Sequence, residues 1–434
     1  MRSFTMVAVG LILSGSVAAQ TSQLEQQITA YVDQNSADAI GLLEKIVNIN
    51  SGSLNLQGVR AVGDVLRSEF DELGFTTEWV DGSRFGRAGH LVATRDGTGP
   101  ALLLIGHLDT VFEKDSPFQA YRETGDSMAA GPGVVDMKGG DVIIVYALRA
   151  LAQAGVLDDL SITVVMTGDE ERSGRPLSLA RQALIEAAEK ADIAIGFENG
   201  DSDPRTAVIS RRSSSSWHLT VTGRPAHSSQ IFRESVGAGS IFEVSRILNG
   251  FYRELADEQY LTFNPGLILG GTNVDYDAEQ ARGLAFGKNN VVAERTVVSG
   301  DIRALSPEQL ERAKDAMLRV VTGEHLPQTT AELTFNDSYP PLAPTPGNER
   351  LLSAFDQVSR DLVFGPVTAV DPRAAGAADI SFTAGYVEMA MDGLGPGGGD
   401  DHTVDEFIDL RTISLQTKRA AVLLYRLGKG ELVN

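Results

Sequence analysis

The chain contains no cysteine. Disulfides, thiolate ligands and cysteine nucleophiles are therefore excluded, and any tightly held metal must use imidazole and carboxylate. Histidine is scarce, six in 434 residues, so each one can be weighed singly. Positive charge is in deficit: 37 Lys and Arg stand against 58 Asp and Glu, a formal net charge of −21. That balance argues against nucleic acid or an anionic membrane as partner. It does not argue against small substrates, because one nearby basic residue outweighs a distant, screened net charge. Neither G-x-S-x-G nor H-E-x-x-H occurs, which weakens a serine-hydrolase or single-zinc protease reading. The apolar run at the N-terminus is too short to span a bilayer, and no other stretch is long and apolar enough to do so.

That N-terminus reads "MRSFTMVAVGLILSGSVAAQ". Arg2, the apolar run Met6 to Leu13, and the small residues Val17-Ala18-Ala19 follow the order of a signal peptide. Residues 1–19 are expected to be cleaved and the mature protein exported, periplasmic or secreted, with no membrane association after processing. Apolar residues at 42% and charged residues at 22% are normal for a globular protein. A chain of 434 residues exceeds one ordinary core, so two domains are expected.

From Ser22 to Gly74 apolar residues recur at three and four spacings, which predicts helices. Strand and helix patterns then alternate: "HLVATR", "ALLLIGHLD", the helix "DVIIVYALRALAQAG", "SITVVM", the helix "LSLARQALIEAAEKA", and "DIAIGF". Such alternation builds an α/β domain with a mostly parallel sheet flanked by helices. Beyond about Thr206 the order becomes β-α-β-β-α-β, that of a ferredoxin-like α+β unit. Its second helix opens on Ser306, with Pro307 at the first helical position and Gln309 in a capping-box spacing. The expected domains are thus 20–206 and 338–434, a catalytic domain in two parts, and 207–337, an insert.

Three histidines, His90, His218 and His325, sit in strand patterns or after a helix and read as structural. His107 stands differently, just past the apolar run of "LLLIGHLDTV". Ligands of parallel sheets collect at carboxyl ends of strands. Asp109, two residues on, leaves the same face of an extended chain and supplies the carboxylate that commonly orients a metal-bound imidazole. Asp136 in "GPGVVDMKGG" lies in a glycine-flanked turn; alone, it reads as a turn aspartate. "TGDEERSG" ends a strand with Glu170 and Glu171 side by side. Adjacent carboxylates repel unless a cation separates them or one holds a proton. One glutamate as ligand beside one as general base satisfies both conditions; a solvated acidic loop is the alternative. Glu198 ends the next strand in "GFENG", and His402 lies in the glycine-rich "GPGGGDDHTVDEF". His107, Asp136, Glu171, Glu198 and His402 together suit two zinc ions sharing a bridging carboxylate, with cobalt or manganese as possible substitutes.

The set "GHLDTVF", "GPGVVDMKGG", "TGDEERSG", "FENG", "GRPAHSS", "NNVVAE…DIR" and "GGGDDHTVDEF" resembles the co-catalytic dinuclear-zinc peptidases. This is the group of glutamate carboxypeptidases, aminoacylases and succinyl-diaminopimelate desuccinylases, and within it the motifs are similar in feel to those of the bacterial folate-cleaving glutamate carboxypeptidases. The resemblance covers nearly the whole mature chain. It implies that His107 and Glu198 hold one zinc, Glu171 and His402 the other, and that Asp136 bridges them. It implies that Asp109 orients His107, that Glu170 is the general base, and that His227 reaches from the insert into a partner subunit's site of a homodimer. Asn290 and Arg303 would bind the substrate's carboxylate, for which a guanidinium fork is apt. The chain departs from the family at Ala293, where proline is common, and in "FNDSYPP", which lacks an arginine of the folate-cleaving branch. Ala377 and Ala378 stand where a small hydroxyl residue is usual. These departures bear on substrate identity and leave the metal ligands untouched.

The implied activity is hydrolysis of an amide or peptide bond to a C-terminal amino acid, in a small peptide or N-acyl amino acid, with glutamate a candidate leaving residue. The alternatives are an aminopeptidase or dipeptidase on the same catalytic domain, and a non-catalytic binding protein. A single-domain aminopeptidase would lack the insert between Glu198 and His402, and a binding protein would have lost Glu170 or a ligand.

Overall fold

The computed structural model describes residues 21–278 and 280–431. The expected signal peptide, 1–19, lies outside them. Three amphipathic helices come first: α1 (Gln23–Gln34), α2 (Ser36–Val47) and α3 (Leu56–Glu72). Ser22 opens α1 with a complete capping box to Glu25, which satisfies two otherwise orphaned donors. Strands β1 (Thr76–Asp81), β2 (Gly89–Arg95) and β3 (Ala101–His107) follow, then α4 (Lys138–Gln153), β4 (Ser161–Thr167), and β5 (Ile193–Gly196).

The helix expected between β4 and β5 is two short ones, α5 (Leu177–Ala180) and α6 (Gln182–Ala188), broken at Arg181. Arg181 leaves helical geometry and is fully buried among polar partners of the β4 loop. A buried guanidinium must have its N–H groups paired, and that demand overrides the helical periodicity of the segment.

The chain then leaves this sheet. It forms β6 (Ser214–Thr222), α7 (Ser240–Leu255), β7 (Thr262–Gly271), β8 (Asn273–Asp277), β9 (Arg282–Phe286), β10 (Arg295–Arg303), α8 (Pro307–Thr322) and β11 (Thr330–Tyr339). It returns through α9 (Pro346–Asp361) and β12 (Met389–Met391) and ends on α10 (Arg411–Gly428). The first sheet has the order β1-β2-β4-β3-β5-β12, with the pairs from β4 to β12 parallel and those of β1 and β2 antiparallel. The second is antiparallel, in the order β7-β10-β6-β11. Among the described residues no helix is long and apolar enough to cross a membrane.

β3 shows why both faces of the first sheet are covered. Leu102 and Leu104 belong to the core under α4 and α10, while Leu103 and Ile105 belong to the core under α6. Successive side chains alternate between faces, so a continuous apolar run needs helices on both sides. In the second sheet Trp217, Leu219 and Val221 alternate inward against α7 and α8, with Trp217 edge-on to Phe251 at 5.8 Å. The β8–β9 hairpin is an addition to the expected β-α-β-β-α-β order. It folds back so that Tyr276 lies 4.9 Å from the His218 ring.

Candidate metal centre

His107 is the last residue of β3, and Glu171 and Glu198 follow the neighbouring parallel strands β4 and β5. The topology alone therefore gathers three ligand-type residues at one sheet edge. Asp136 lies, as its glycine-flanked turn predicts, in the loop leading into α4, with a cis bond to Met137. That loop has its own anchor, a residue of the "GGGDDHTVDEF" motif to which the sequence reading assigns no role. The buried Glu406 carboxylate accepts the main-chain N–H groups of Gly133, Val135 and Asp136 at 3.2, 3.0 and 3.2 Å. His402 comes from the loop after Gly397-Gly398-Gly399. Both Asp400 and His402 hold left-handed backbone there, with φ of 54° and 62°. For residues other than glycine this costs about 1–3 kcal/mol, a cost typically found at functional sites.

Asp136 occupies the middle. Its Oδ1 lies 3.1 Å from His107 Nε2 and its Oδ2 lies 3.0 Å from His402 Nε2. Each imidazole nitrogen faces a second carboxylate: His107 Nε2 is 3.3 Å from Glu198 Oε1, and His402 Nε2 is 3.2 Å from Glu171 Oε2. Two ligand atoms about 2.0–2.1 Å from one tetrahedral cation lie about 3.3 Å from each other, so each imidazole–carboxylate pair has the spacing of atoms sharing an ion. Ligand atoms of His107, Asp136 and Glu198 all fall within 4.8 Å of one another, as do those of Asp136, Asp401 and His402. Asp401 is a further carboxylate here, next to His402 in the same motif but given no role by the sequence reading. Among the described residues the buried Glu171 Oε1 has no hydrogen-bond partner. A buried carboxylate oxygen left so is costly, and a cation removes that cost. The donor set is hard-to-borderline nitrogen and oxygen, as zinc, cobalt or manganese accept.

The electrostatics agree. Burial, and then the neighbouring Asp136, push both Glu171 and Glu198 up to about 7. Hydrogen bonds to Asp136 and Glu171 push His402 up to about 11. Burial would depress His107, but Glu198 and the Asp136 hydrogen bond outweigh it and raise it well above its ordinary value. Burial would raise Asp136, yet its hydrogen bonds with the two imidazoles hold it below the usual carboxylate range. Protons thus stand where cations would neutralise the same charge.

The other expected residues take definite places. Asp109 is fully buried, and its carboxylate is 3.6 Å from His107 Nδ1. The closer partner of that nitrogen, at 3.1 Å, is the Asp109 carbonyl. The carboxylate mainly accepts from the amides of Glu170 (3.0 Å) and Glu171 (3.2 Å) and from the Ser53 hydroxyl (2.5 Å). It joins the His107 strand end to the Glu170–Glu171 loop. Burial raises Glu170 well above the usual carboxylate range; His107 opposes, and Asp379, Glu198 and Glu171 add to it. Glu198 has a support of its own: its N–H donates to Asp392, which also pairs with Arg211 at 2.9 Å. A Cβ on Gly196 would meet Asp392 at 2.2 Å, so only glycine fits at that strand end. His90 is structural, as expected, with Nε2 donating to the Ala180 carbonyl and Nδ1 accepting from Gly168 N–H.

His227, Asn290 and Arg303 all lie in the inserted sheet or its loops and do not form one cluster. The exposed His227 and Asn290 are neighbours, because Ser228 N–H donates to the Asn290 carbonyl at 2.8 Å and His227 bridges Val291. Arg303 is at the opposite end of nine-residue β10, 3.2 Å from Asp301, about 27 Å away at strand rise. Within one chain, Asn290 and Arg303 therefore cannot grip the same carboxylate, contrary to the expectation that they act together.

Residues 103–426 match the family described as Peptidase family M20/M25/M40. The chain is 25% identical over 441 residues to carboxypeptidase G2 of Pseudomonas sp. (strain RS-16), covering 99% of each protein. It is 33% identical over 202 residues to succinyl-diaminopimelate desuccinylase of Acidiphilium cryptum, covering 44% of this chain and 50% of that one. Its fold is similar to that of aminopeptidase PepT from Bacillus cereus, with TM-score 0.70, 16% identity, and 91% of this chain and 99% of the other covered. Fold, site and family together define a metal-dependent hydrolase of amide or peptide bonds. The chain belongs to peptidase family M20/M25/M40.

Proposed function

We propose that the protein is an exported dinuclear metallo-carboxypeptidase or N-acyl amino acid amidohydrolase, releasing a C-terminal amino acid. The observation that carries this reading is the symmetry around Asp136, each of whose oxygens faces an imidazole that faces a second carboxylate. His107, Glu198 and Asp136 would hold one divalent ion, and Asp136, Glu171 and His402 the other, zinc being the ion this donor set suits. The chemistry such ions supply when bound is Lewis-acid polarisation of the scissile carbonyl and a lowered pKa for the attacking water. Glu170 takes the proton from that water and returns it to the amine nitrogen as the C–N bond breaks. Burial favours this role, because a raised pKa makes a carboxylate a stronger proton acceptor. Asp109, by accepting the Glu170 and Glu171 amides, keeps base and ligand in register.

Arg303 is read as the clamp for the substrate's free carboxylate, its guanidinium being half-exposed at the end of β10. His227 is read as the donor to the developing oxyanion in the partner subunit of a homodimer. The separation of His227 from Arg303 along β10 favours this division between two chains. So does the free edge of β7, flanked by exposed Ile241, Phe242 and Tyr252 of α7 and Ile268 of β7 itself. The signal-peptide pattern of residues 1–19 supports export.

The test is a release assay on purified, metal-loaded protein with N-acyl amino acids, dipeptides and their C-terminally amidated counterparts. The expected result is release of the C-terminal amino acid from free-acid substrates, poor cleavage of the amides, and a raised KM in Arg303→Lys, which replaces a fork by a point charge. Equal rates on acid and amide substrates would overturn the carboxypeptidase reading.

A further inference from the structure

Tyr339 ends β11, where the chain leaves the inserted sheet. Its side chain turns into the catalytic unit. The hydroxyl donates to the Glu170 carbonyl at 2.8 Å and accepts from Arg181 Nη2 at 2.7 Å, which uses its single proton and a lone pair. Glu170 is thereby pinned on both sides of its main chain, since its N–H donates to Asp109 at 3.0 Å. Arg181, where the expected helix breaks, gives its other contacts to the same loop and its base. It meets the Asp169 carboxylate at 2.6 Å, the Asp169 carbonyl at 3.2 Å, Ser173 Oγ at 3.1 Å and Asp379 at 2.7 Å. Asp169 in turn accepts Gly174 N–H, and Asp379 accepts the Thr167 hydroxyl. The loop 167–174 is thus held at its start, middle and end, and the middle hold belongs to the insert's last strand. Where the two crossing segments pass each other, Arg211 and Leu342 exchange main-chain hydrogen bonds of 2.9 Å. The entering segment reaches the other half of the site through the Arg211–Asp392 pair under Glu198.

We propose that Tyr339 is a positioning residue for Glu170, through which the orientation of the inserted sheet reaches the general base. This rests on the reading of Glu170 as that base. Tyr339→Phe removes one oxygen and leaves the Glu170 carbonyl without its side-chain donor, while Arg181 Nη2 keeps Asp169 and Ser173. A loss of that kind is expected to lower kcat about ten- to a hundredfold, with KM and bound metal unchanged. Ser173→Ala removes an acceptor of Arg181 and a weaker, 3.4 Å contact of the Tyr339 hydroxyl but leaves the Tyr339–Glu170 bond in place, and should leave kcat near that of the parent. In a Glu170→Gln background, Tyr339→Phe should cost nothing further. An equal loss in both backgrounds, or full turnover in Tyr339→Phe, would overturn the proposal.

Hydrogen exchange on the metal-free protein gives a readout apart from activity. The amides of residues 169–174 should exchange faster in Tyr339→Phe, and unchanged protection would count against the coupling. Should that variant not fold, the unsubstituted protein decides: the amides of Glu170, Glu171 and Leu342 should open together, and independent opening would overturn the proposal. If the unsubstituted protein cleaves no amide, or Glu170→Gln keeps its turnover, the functional reading fails instead. Hydrogen exchange alone then decides whether Tyr339 holds the loop.

Discussion

Glu406 and Asp136 lie 270 residues apart in the chain, yet the Asp136 N–H donates to Glu406 Oε1 at 3.2 Å. The same carboxylate takes the Val135 and Gly133 amides, so a residue from beyond His402 shapes the loop that presents Asp136. Glu406→Gln would set a side-chain NH2 against main-chain N–H donors. Outer partners of metal ligands typically contribute about 10–100-fold in affinity. The expected outcome is a loss of that size in metal affinity with the fold retained, measured by calorimetric titration of the metal-free protein with zinc. Affinity equal to the parent's would show that the loop holds itself.

Glu170→Gln keeps size and removes the proton acceptor. Turnover should fall about a hundred- to ten-thousandfold, while metal content and melting temperature stay near those of the parent. Elemental analysis and single-turnover kinetics on the same sample check this. Metal loss in that variant would mean that Glu170, rather than Glu171 alone, is a ligand.

Glu171 and Glu198 rise from an ordinary 4.5 to about 7 in the metal-free fold. The folded state then binds more protons than the unfolded one between those values. Their contribution to metal-free stability is full below about pH 4.5 and is lost as pH rises through about 7. Bound metal requires the deprotonated ligands, so its stabilisation grows over the same interval. The gap in melting temperature between zinc-loaded and chelator-treated protein should therefore widen from about pH 5 to about pH 7.5. A gap independent of pH in thermal scans would contradict the proton-for-metal exchange.

His227 offers a test of the two-chain site. His227→Ala and Glu170→Gln should each be inactive as pure proteins. After subunit exchange, a mixed dimer has one site with an intact Glu170 and the partner's intact histidine, so random pairing should restore about a quarter of parental activity. Activity of the mixture, with exchange verified by mass spectrometry, is the measurement. No recovery, or a fully active monomer, would assign the oxyanion donor to the same chain.

Much of this arrangement was legible in the chain itself. The apolar runs of β3, β4 and β5 are each followed by a ligand-type residue, because parallel strands point their carboxyl ends to one edge and short-range pattern suffices to find them. The absence of cysteine narrowed the metal chemistry, and the adjacency of Glu170 and Glu171 carried the expectation of a ligand beside a base. What tertiary structure alone decided lies where distant segments meet. The Asp109 carboxylate serves the amides of Glu170 and Glu171 more closely than the His107 ring, which its carbonyl meets instead. The expected helix breaks at Arg181 because a buried guanidinium needs partners that come from Asp169, Tyr339 and Asp379. Asn290 and Arg303 separate because they flank opposite ends of β10. Periodicity reports which face a residue takes within its own element. It carries no record of which remote carboxylate or hydroxyl will satisfy a buried donor, and that pairing is set by packing.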